Sequence, residues 1–195
     1  MAQRYEDIPT SVILRAQVGE PAAVSELVLL LSERAFSLAY RMCGDPEEAK
    51  DICQEMLMHV VKNAARYDPA RPFLPWFYRV ASNVCLNWLV SPQHRARAKS
   101  LDQGSSQHPG FQPASMARGP ATDAMARDMR DVVHQIVHLL PEEYRAVIVL
   151  HYFEGVPYPD LGEILGLPLG TVKVRLFRGR ELLREKLEAL GFDKP

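Results

Sequence analysis

The chain has 195 residues, 47% of them hydrophobic and 24% charged, and a formal net charge of -1. That length suits one ordinary domain or two small ones, and the hydrophobic share is enough to fill cores, which excludes a chain disordered throughout. The longest apolar run, Leu27 to Leu31, is far short of the ~20 residues that cross a bilayer, and MAQRYEDIPTSVILRAQ at the N-terminus carries acids and no long apolar core. A cytoplasmic protein that inserts in no membrane is therefore expected.

Apolar residues recur at spacings of three and four while strand-like alternation is absent, so the fold class is all-α. The first long helix is predicted from Pro21 to Met42. Gly44-Asp45-Pro46-Glu47-Glu48 then offers an N-cap aspartate, a proline at the first helical position and a glutamate at the third. These open a helix over 46–64 with Ala49, Ile52, Cys53, Met56, Leu57, Val60 and Val61 on its buried side. Two further helices are predicted, Phe73 to Ser82 and Asn83 to about Arg97.

Residues 100–121, SLDQGSSQHPGFQPASMARGPA, hold ten Gly, Pro or Ser in 22 positions and no apolar period. This is the composition of a flexible linker, spanning ~25 Å on average as a coil. It divides the chain into two small helical domains, residues 1–99 and 122–195. The second begins with a stripe of Met125, Met129, Val132, Val133, Ile136, Val137 and Leu140, capped by Thr122 or Asp123 and ended by Pro141.

Pro159-Asp160-Leu161-Gly162-Glu163-Ile164-Leu165-Gly166 reads as a short helix with Leu161, Ile164 and Leu165 inward, and Gly166-Leu167-Pro168 turns the chain. On the helix that follows, Val172, Leu176, Leu183, Leu187 and Leu190 form one stripe, and Lys173, Phe177, Arg180 and Arg184 the adjacent one. A short helix, a tight glycine turn and a second helix with basic residues at its start describe a helix-turn-helix, whose second helix fits a major groove.

Charge is sorted along this framework. GTVKVRLFRGRELLREKL, residues 170–187, carries six basic and two acidic residues, a local charge of +4. Arg95, Arg97 and Lys99 add a short basic cluster. Residues 45–55 carry -4 and residues 122–163 carry -5. Separate basic and acidic surfaces imply separate partners, one of them polyanionic. The competing reading of the basic helix is a solvated face on which Arg178, Glu181 and Glu185 pair among themselves.

The remaining reactive types lack a constellation. Cys43, Cys53 and Cys85 have no C-x-x-C spacing and each interrupts an apolar face, as reduced core thiols do. His134 and His138 stand four apart without an H-E-x-x-H motif or a third ligand nearby, so no metal is assigned. No histidine, nucleophile or phosphate loop accompanies the paired carboxylates Asp51 and Glu55. No catalytic activity and no cofactor are expected.

LPEEYRAVIVLHYFEGVPYPDLGEILGLPLGTVKVRLFRGRELL, residues 140–183, resembles region 4 of the extracytoplasmic function (ECF) sigma factors of bacterial RNA polymerase. GDPEEAKDICQEMLMHVVKNAARYDPARPFLPWFYRVASNVCLNWL, residues 44–89, resembles their region 2, and the two occur in the family's order with no intervening region 3. Pro157 stands where relatives usually have a capping serine, Gly162 where they have alanine, and Val174 where a polar residue is common. Val90-Ser91-Pro92 interrupts the place of an arginine run. These departures concern promoter preference rather than class.

The resemblance implies a factor that binds core RNA polymerase and directs promoter-specific initiation and strand opening. It puts Lys173, Val174, Phe177 and Arg178 at the major groove of the -35 element, with Arg175 and Arg180 nearer the phosphates. Cations suit guanine edges or phosphates, apolar side chains suit thymine methyls, and Thr171 with the helix N-terminus suits a backbone phosphate. Residues 72–83 resemble the part that opens and reads the -10 element, through Trp76, Arg79, Asn83, Asn87 and Trp88, since rings and amides compensate for the lost stacking of an extruded base. Core packing is the competing reading for the rings. At a predicted helix junction, Asn83 is a cap, a base reader, or both.

The acidic face of helix 46–64, with Asp51, Gln54 and Glu55, resembles the surface that docks on the clamp helices of the polymerase beta-prime subunit; the beta flap is the partner implied for region 4. An anti-sigma factor, soluble or membrane-bound, is also implied. The alternative function is a stand-alone helix-turn-helix regulator, which would leave the region 2 resemblance without a task.

Overall fold

The computed structural model describes residues 8–92, 133–134 and 136–191, and these are helical without a strand among them. The chain order is α1 (Thr10–Gln17), α2 (Pro21–Cys43), α3 (Pro46–Asn63), a 3-10 turn (Ala64–Arg66) and α4 (Phe73–Leu89) in the first lobe. The second lobe has α5 (Glu142–Ile148), a π-helical turn (Val149–Phe153), α6 (Tyr158–Leu165) and α7 (Leu169–Ala189). The linker at 100–121, the cluster Arg95, Arg97 and Lys99, and the stripe residues Met125, Met129 and Val132 with their cap lie outside the described residues.

The predicted boundary between the two long N-terminal helices holds in detail. α2 stops at Gly44, whose φ of +82° is the left-handed conformation that lets its N–H reach the Tyr40 carbonyl at 2.8 Å. Asp45 then accepts from the N–H groups of Glu47 and Glu48, each at 2.9 Å, satisfying two of the open donors at the start of α3, where Pro46 has no N–H to satisfy. α2 and α3 pack as an antiparallel pair, with α1 and α4 against them. Gln17 ties α1 to the turn after α3 by donating to the carbonyls of Ala64 at 2.9 Å and Tyr67 at 2.8 Å.

Two expectations change. Residues 73–89 form one continuous helix instead of two meeting at Ser82 and Asn83. The stretch VASNVCL contains neither glycine nor proline, and Ser and Asn lower helix propensity by only ~0.5 kcal/mol each, which burial of Phe77, Tyr78, Ala81, Val84 and Cys85 outweighs. On α3, Ala49, Ile52, Met56 and Val60 are buried as predicted, but Cys53, Leu57 and Val61 are only half-buried. They border an open apolar groove of about 520 Å³ shared with Val28, Phe36 and Met58.

In the second lobe, Ile136, Val137 and Leu140 are buried just before Pro141, and α5 and the π turn carry the fully buried run Ala146 to Leu150. α7 lies across α5 at Gly179, where a Cβ would come within 2.8 Å of Ile148 Cγ1. The lobes also pack on each other, α6 against α4 and the π turn against α2, so that buried residues of both join in one cluster.

The Gly179 contact is testable. Alanine there would gain ~1 kcal/mol of helix propensity, but it presses on a buried β-branched side chain with little rotamer freedom, an overpacking cost of ~1–3 kcal/mol. Gly179→Ala is expected to lower the melting temperature, by ~2–4 °C for each kcal/mol of net loss in a chain of this size. A rise would show that α5 and α7 separate freely.

The thiols give a second prediction. Cys43 and Cys85 are buried and Cys53 half-buried, all three free. Burial pushes the Cys43 thiol up to about 11, holds Cys85 well above the ordinary cysteine value, and also raises Cys53. A raised pKa leaves less thiolate at a given pH, and thiolate is the reactive form. Iodoacetamide at mildly alkaline pH should therefore modify Cys53 first, and Cys43 and Cys85 only after denaturation. Fast labelling of native Cys85, read by mass spectrometry, would contradict this packing.

Candidate nucleic-acid interface

The helix-turn-helix is built by backbone closure rather than by side-chain caps. Gly166 takes φ +64° and ends α6, the Leu167 N–H returns to the Gly162 carbonyl at 2.9 Å, and Tyr158 Oη donates to the Leu169 carbonyl at 2.9 Å. Pro157 precedes α6 without any side-chain cap bond. Gly162 suits this tight closure, because a Cβ there would stand 3.0 Å from the Leu167 carbonyl oxygen and 3.1 Å from Leu169 Cδ2.

Packing of Val172, Leu176 and Gly179 inward fixes the rotation of α7 about its own axis. At ~100° per residue, Lys173, Val174, Phe177 and Arg178 then point away from the core, with Arg175 and Thr171 on one flank and Arg180 on the other. The structure thus brings together all seven residues assigned to this helix. Val174 is 60% and Phe177 49% exposed, large apolar side chains left in solvent on a basic surface. Arg178 pairs with Glu181 at 3.0 Å, while Lys173, Arg175 and Arg180 have no ion pair among the described residues.

On α4, Arg79, Asn83 and Asn87 are exposed along one face, and Trp76 is half-buried on the same stripe. Trp76 packs its ring against Tyr67 and Phe73, with centroids 5.4 and 5.3 Å away, so it serves the core and the surface together. Trp88 lies about 120° round the helix from Trp76, apart from the other four. Asn83 stands in mid-helix, not at a junction, so its reading as a helix cap is withdrawn. Its side chain is exposed from the middle of a continuous helix.

Asp51, Gln54 and Glu55 are exposed together on α3, beside the apolar groove, and Glu55 lies 3.8 Å from His59 Nε2. The sequence reading missed that groove, although apolar residues on every side of α2, including exposed Leu29, Leu30 and Phe36, were its signal. It also missed the buried polar group formed by Ser37, Arg41, Tyr78 and Glu154. The His134 ring lies tilted at 5.6 Å from Tyr40, an aromatic contact between the lobes, and at 5.9 Å from Phe153 of its own lobe. No group of three or more metal-ligating side chains occurs among the described residues.

The family description "Sigma-70 region 2" matches residues 27–95, and "Sigma-70, region 4" matches residues 130–183. The ECF RNA polymerase sigma factor SigW of Bacillus subtilis is 33% identical over 186 residues, covering 91% of this chain and 96% of the relative. The chain belongs to the ECF sigma factors. SigE of Mycolicibacterium smegmatis is 32% identical over 93% of this chain and 69% of its own length, and the sigma-H factor of Pseudomonas aeruginosa 28% over 92% and 93%.

Two solved structures share the fold. CnrH, in complex with the cytosolic domain of CnrY, has a TM-score of 0.62 at 23% identity, covering 92% of this chain and 97% of that one. RpoE of Bartonella quintana, in complex with the anti-sigma factor NepR, has a TM-score of 0.59 at 20% identity, covering 87% and 98%. An ECF sigma factor is a transcription initiation factor that acts with RNA polymerase on promoter DNA. Among the described residues of this one, no helix is long and apolar enough to cross a membrane.

Proposed function

We propose that this sigma factor reads the -35 element with α7 and opens and reads the -10 element with the exposed stripe of α4. Residues 1–99 form the polymerase-docking and -10 domain, 100–121 the linker, and 122–195 the -35 domain. The observation that carries this reading is the outward face of α7, where exposed Val174 and Phe177 lie among Lys173, Arg175, Arg178 and Arg180. A merely solvated helix face has no need of two large apolar side chains, whereas a major groove offers thymine methyls beside guanine edges and phosphates.

Strand opening falls to α4. Asn83 and Asn87 present amides to a flipped base, Trp76 offers a ring for stacking, and Arg79 meets the strand backbone, whereas Trp88, off this stripe, takes no part in it. The exposed carboxylates of Asp51 and Glu55, with Gln54, dock on arginines of the beta-prime clamp helices, and region 4 meets the beta flap. A stand-alone regulator would have no use for the α4 stripe.

An anti-sigma factor belongs to the same proposal. It would occlude the Asp51 and Glu55 face together with part of the second lobe, and the complex of the similarly folded RpoE with NepR supports such regulation. The protein would then act in the cytoplasm without a cofactor or a catalytic step of its own.

The two DNA faces are separable by mutation. Arg178→Ala should weaken promoter binding by ~1–3 kcal/mol and relax selectivity within the -35 element, measured with a promoter library and core polymerase. Selectivity identical to the parent's would reassign the side chain to phosphate contact or to its pair with Glu181. Asn83→Ala should leave -35 binding in place and reduce permanganate reactivity of thymines around -10. Full reactivity in that variant would remove Asn83 from strand opening.

A further inference from the structure

Glu154 is a carboxylate only 3% exposed, carried by the second lobe directly after the π turn and bonded to side chains of the first. Its Oε2 accepts from Tyr78 Oη at 3.1 Å, and its Oε1 from Ser37 Oγ at 3.2 Å and Arg41 Nη1 at 3.4 Å. Arg41 also donates to Ser37 Oγ, and its guanidinium carbon lies 4.8 Å from the centroid of the Phe153 ring. Phe153 and Glu154, adjacent in sequence, therefore both engage one arginine of α2. Burial, with the carboxylate beside it, pushes the Tyr78 hydroxyl well above the ordinary tyrosine value, so it stays a donor.

A second attachment lies nearby. Buried Arg145 donates to the Met42 carbonyl at the end of α2 as well as to the backbone carbonyls of His138 at 2.6 Å and Leu140 at 2.9 Å in its own lobe. His138 fits over Gly44 so closely that a Cβ there would meet its ring at 2.6 Å. At the rim, Arg71 and Glu163 pair across the lobes at 3.2 Å.

This closed arrangement conflicts with the task proposed above. The -10 and -35 elements are about 25 base pairs apart, or ~85 Å at ~3.4 Å per base pair, whereas α4 and α6 are in direct contact. The lobes cannot occupy both elements while closed. The connection permits separation, because the ~40 residues between the described parts of the two lobes reach up to ~130 Å when extended.

We propose that Glu154 is the tongue of a latch between the lobes, closed in the free protein and necessarily released before the two promoter elements can be held together. The inference rests on the reading that α4 and α7 contact those elements simultaneously. The chemistry suits a joint that opens. A buried charge held by specific partners favours one relative placement of the lobes, since a slip separates it from them. On opening, the carboxylate and arginine are solvated by water, unlike an apolar contact of the same size.

Two measurements on the full chain test this. Glu154→Ala should increase the radius of gyration in small-angle scattering while helix content is retained; an unchanged radius would remove Glu154 from the latch. Independently, Arg71→Cys and Glu163→Cys, in a Cys53→Ser background, allow the rim to be bridged by a short bismaleimide with a cleavable spacer. With core polymerase, the unbridged protein should direct run-off transcription, the bridged protein should lose it, and cleavage should restore it. Full transcription by the bridged protein would overturn required opening. No promoter-specific transcription even from the unbridged protein would instead strike the reading of the two DNA faces, and the latch with it.

Discussion

A helix that reads DNA must be gripped from one side only, and the contact at Gly179 provides that grip. With no Cβ at this position, the backbone of α7 comes up against Ile148 on α5, while Leu176 and Val172 are buried one and two turns before it. The rotation of α7 is thereby fixed, and with it the choice of which side chains meet solvent. Turning the helix by one residue, ~100°, would bury a cation and expose a core residue. The same packing continues through Ile148 into the π turn, whose wider loop ends in Glu154 aimed at the first lobe. The recognition face and the lobe contact thus depend on one stack of side chains.

Much of this was legible in the sequence because the signals are local. Asp45, Pro46 and Glu48 specify a helix start within four residues, and Gly166-Leu167-Pro168 specifies a turn within three. The cations on α7 follow from helical periodicity alone. What failed was also local: a helix break was placed at Ser82 and Asn83, where polar residues suggested a cap but no glycine or proline stops a helix that core packing sustains. The partners of Glu154 were invisible for a different reason. Tyr78 and Arg41 lie 76 and 113 residues away, and no spacing rule connects residues brought together only by packing of one lobe on another. The groove beside Phe36 and Met58 falls between these cases, since excess apolar character on α2 is readable but its location is not.

The polarised charge acquires a physical role from this geometry. A net charge of -1 gives the free protein little general attraction to nucleic acid, because the acids of α3 and the second lobe offset the basic helix over the molecule as a whole, and screening over a Debye length of ~10 Å confines what remains to close range. At contact range the balance changes, and Lys173, Arg175 and Arg180 act without local compensation. Attraction of α7 to a polyanion is therefore a short-range property of that one face.

A small number of phosphate contacts has a further consequence for how the two lobes must work. Counterion release scales with the number of phosphates neutralised, so the four cations on the outward face of α7, and still more the single Arg79 of α4, would confer only a modest, salt-sensitive affinity on either lobe alone. Polymerase supplies what is missing by holding both lobes at fixed positions, which turns the second DNA contact into an intramolecular event at high effective concentration. That gain exists only if the spacing of the lobes matches the spacing of the elements. A chain whose lobes close on each other when free, through a buried carboxylate that water can readily take back, gives up little when polymerase draws them apart.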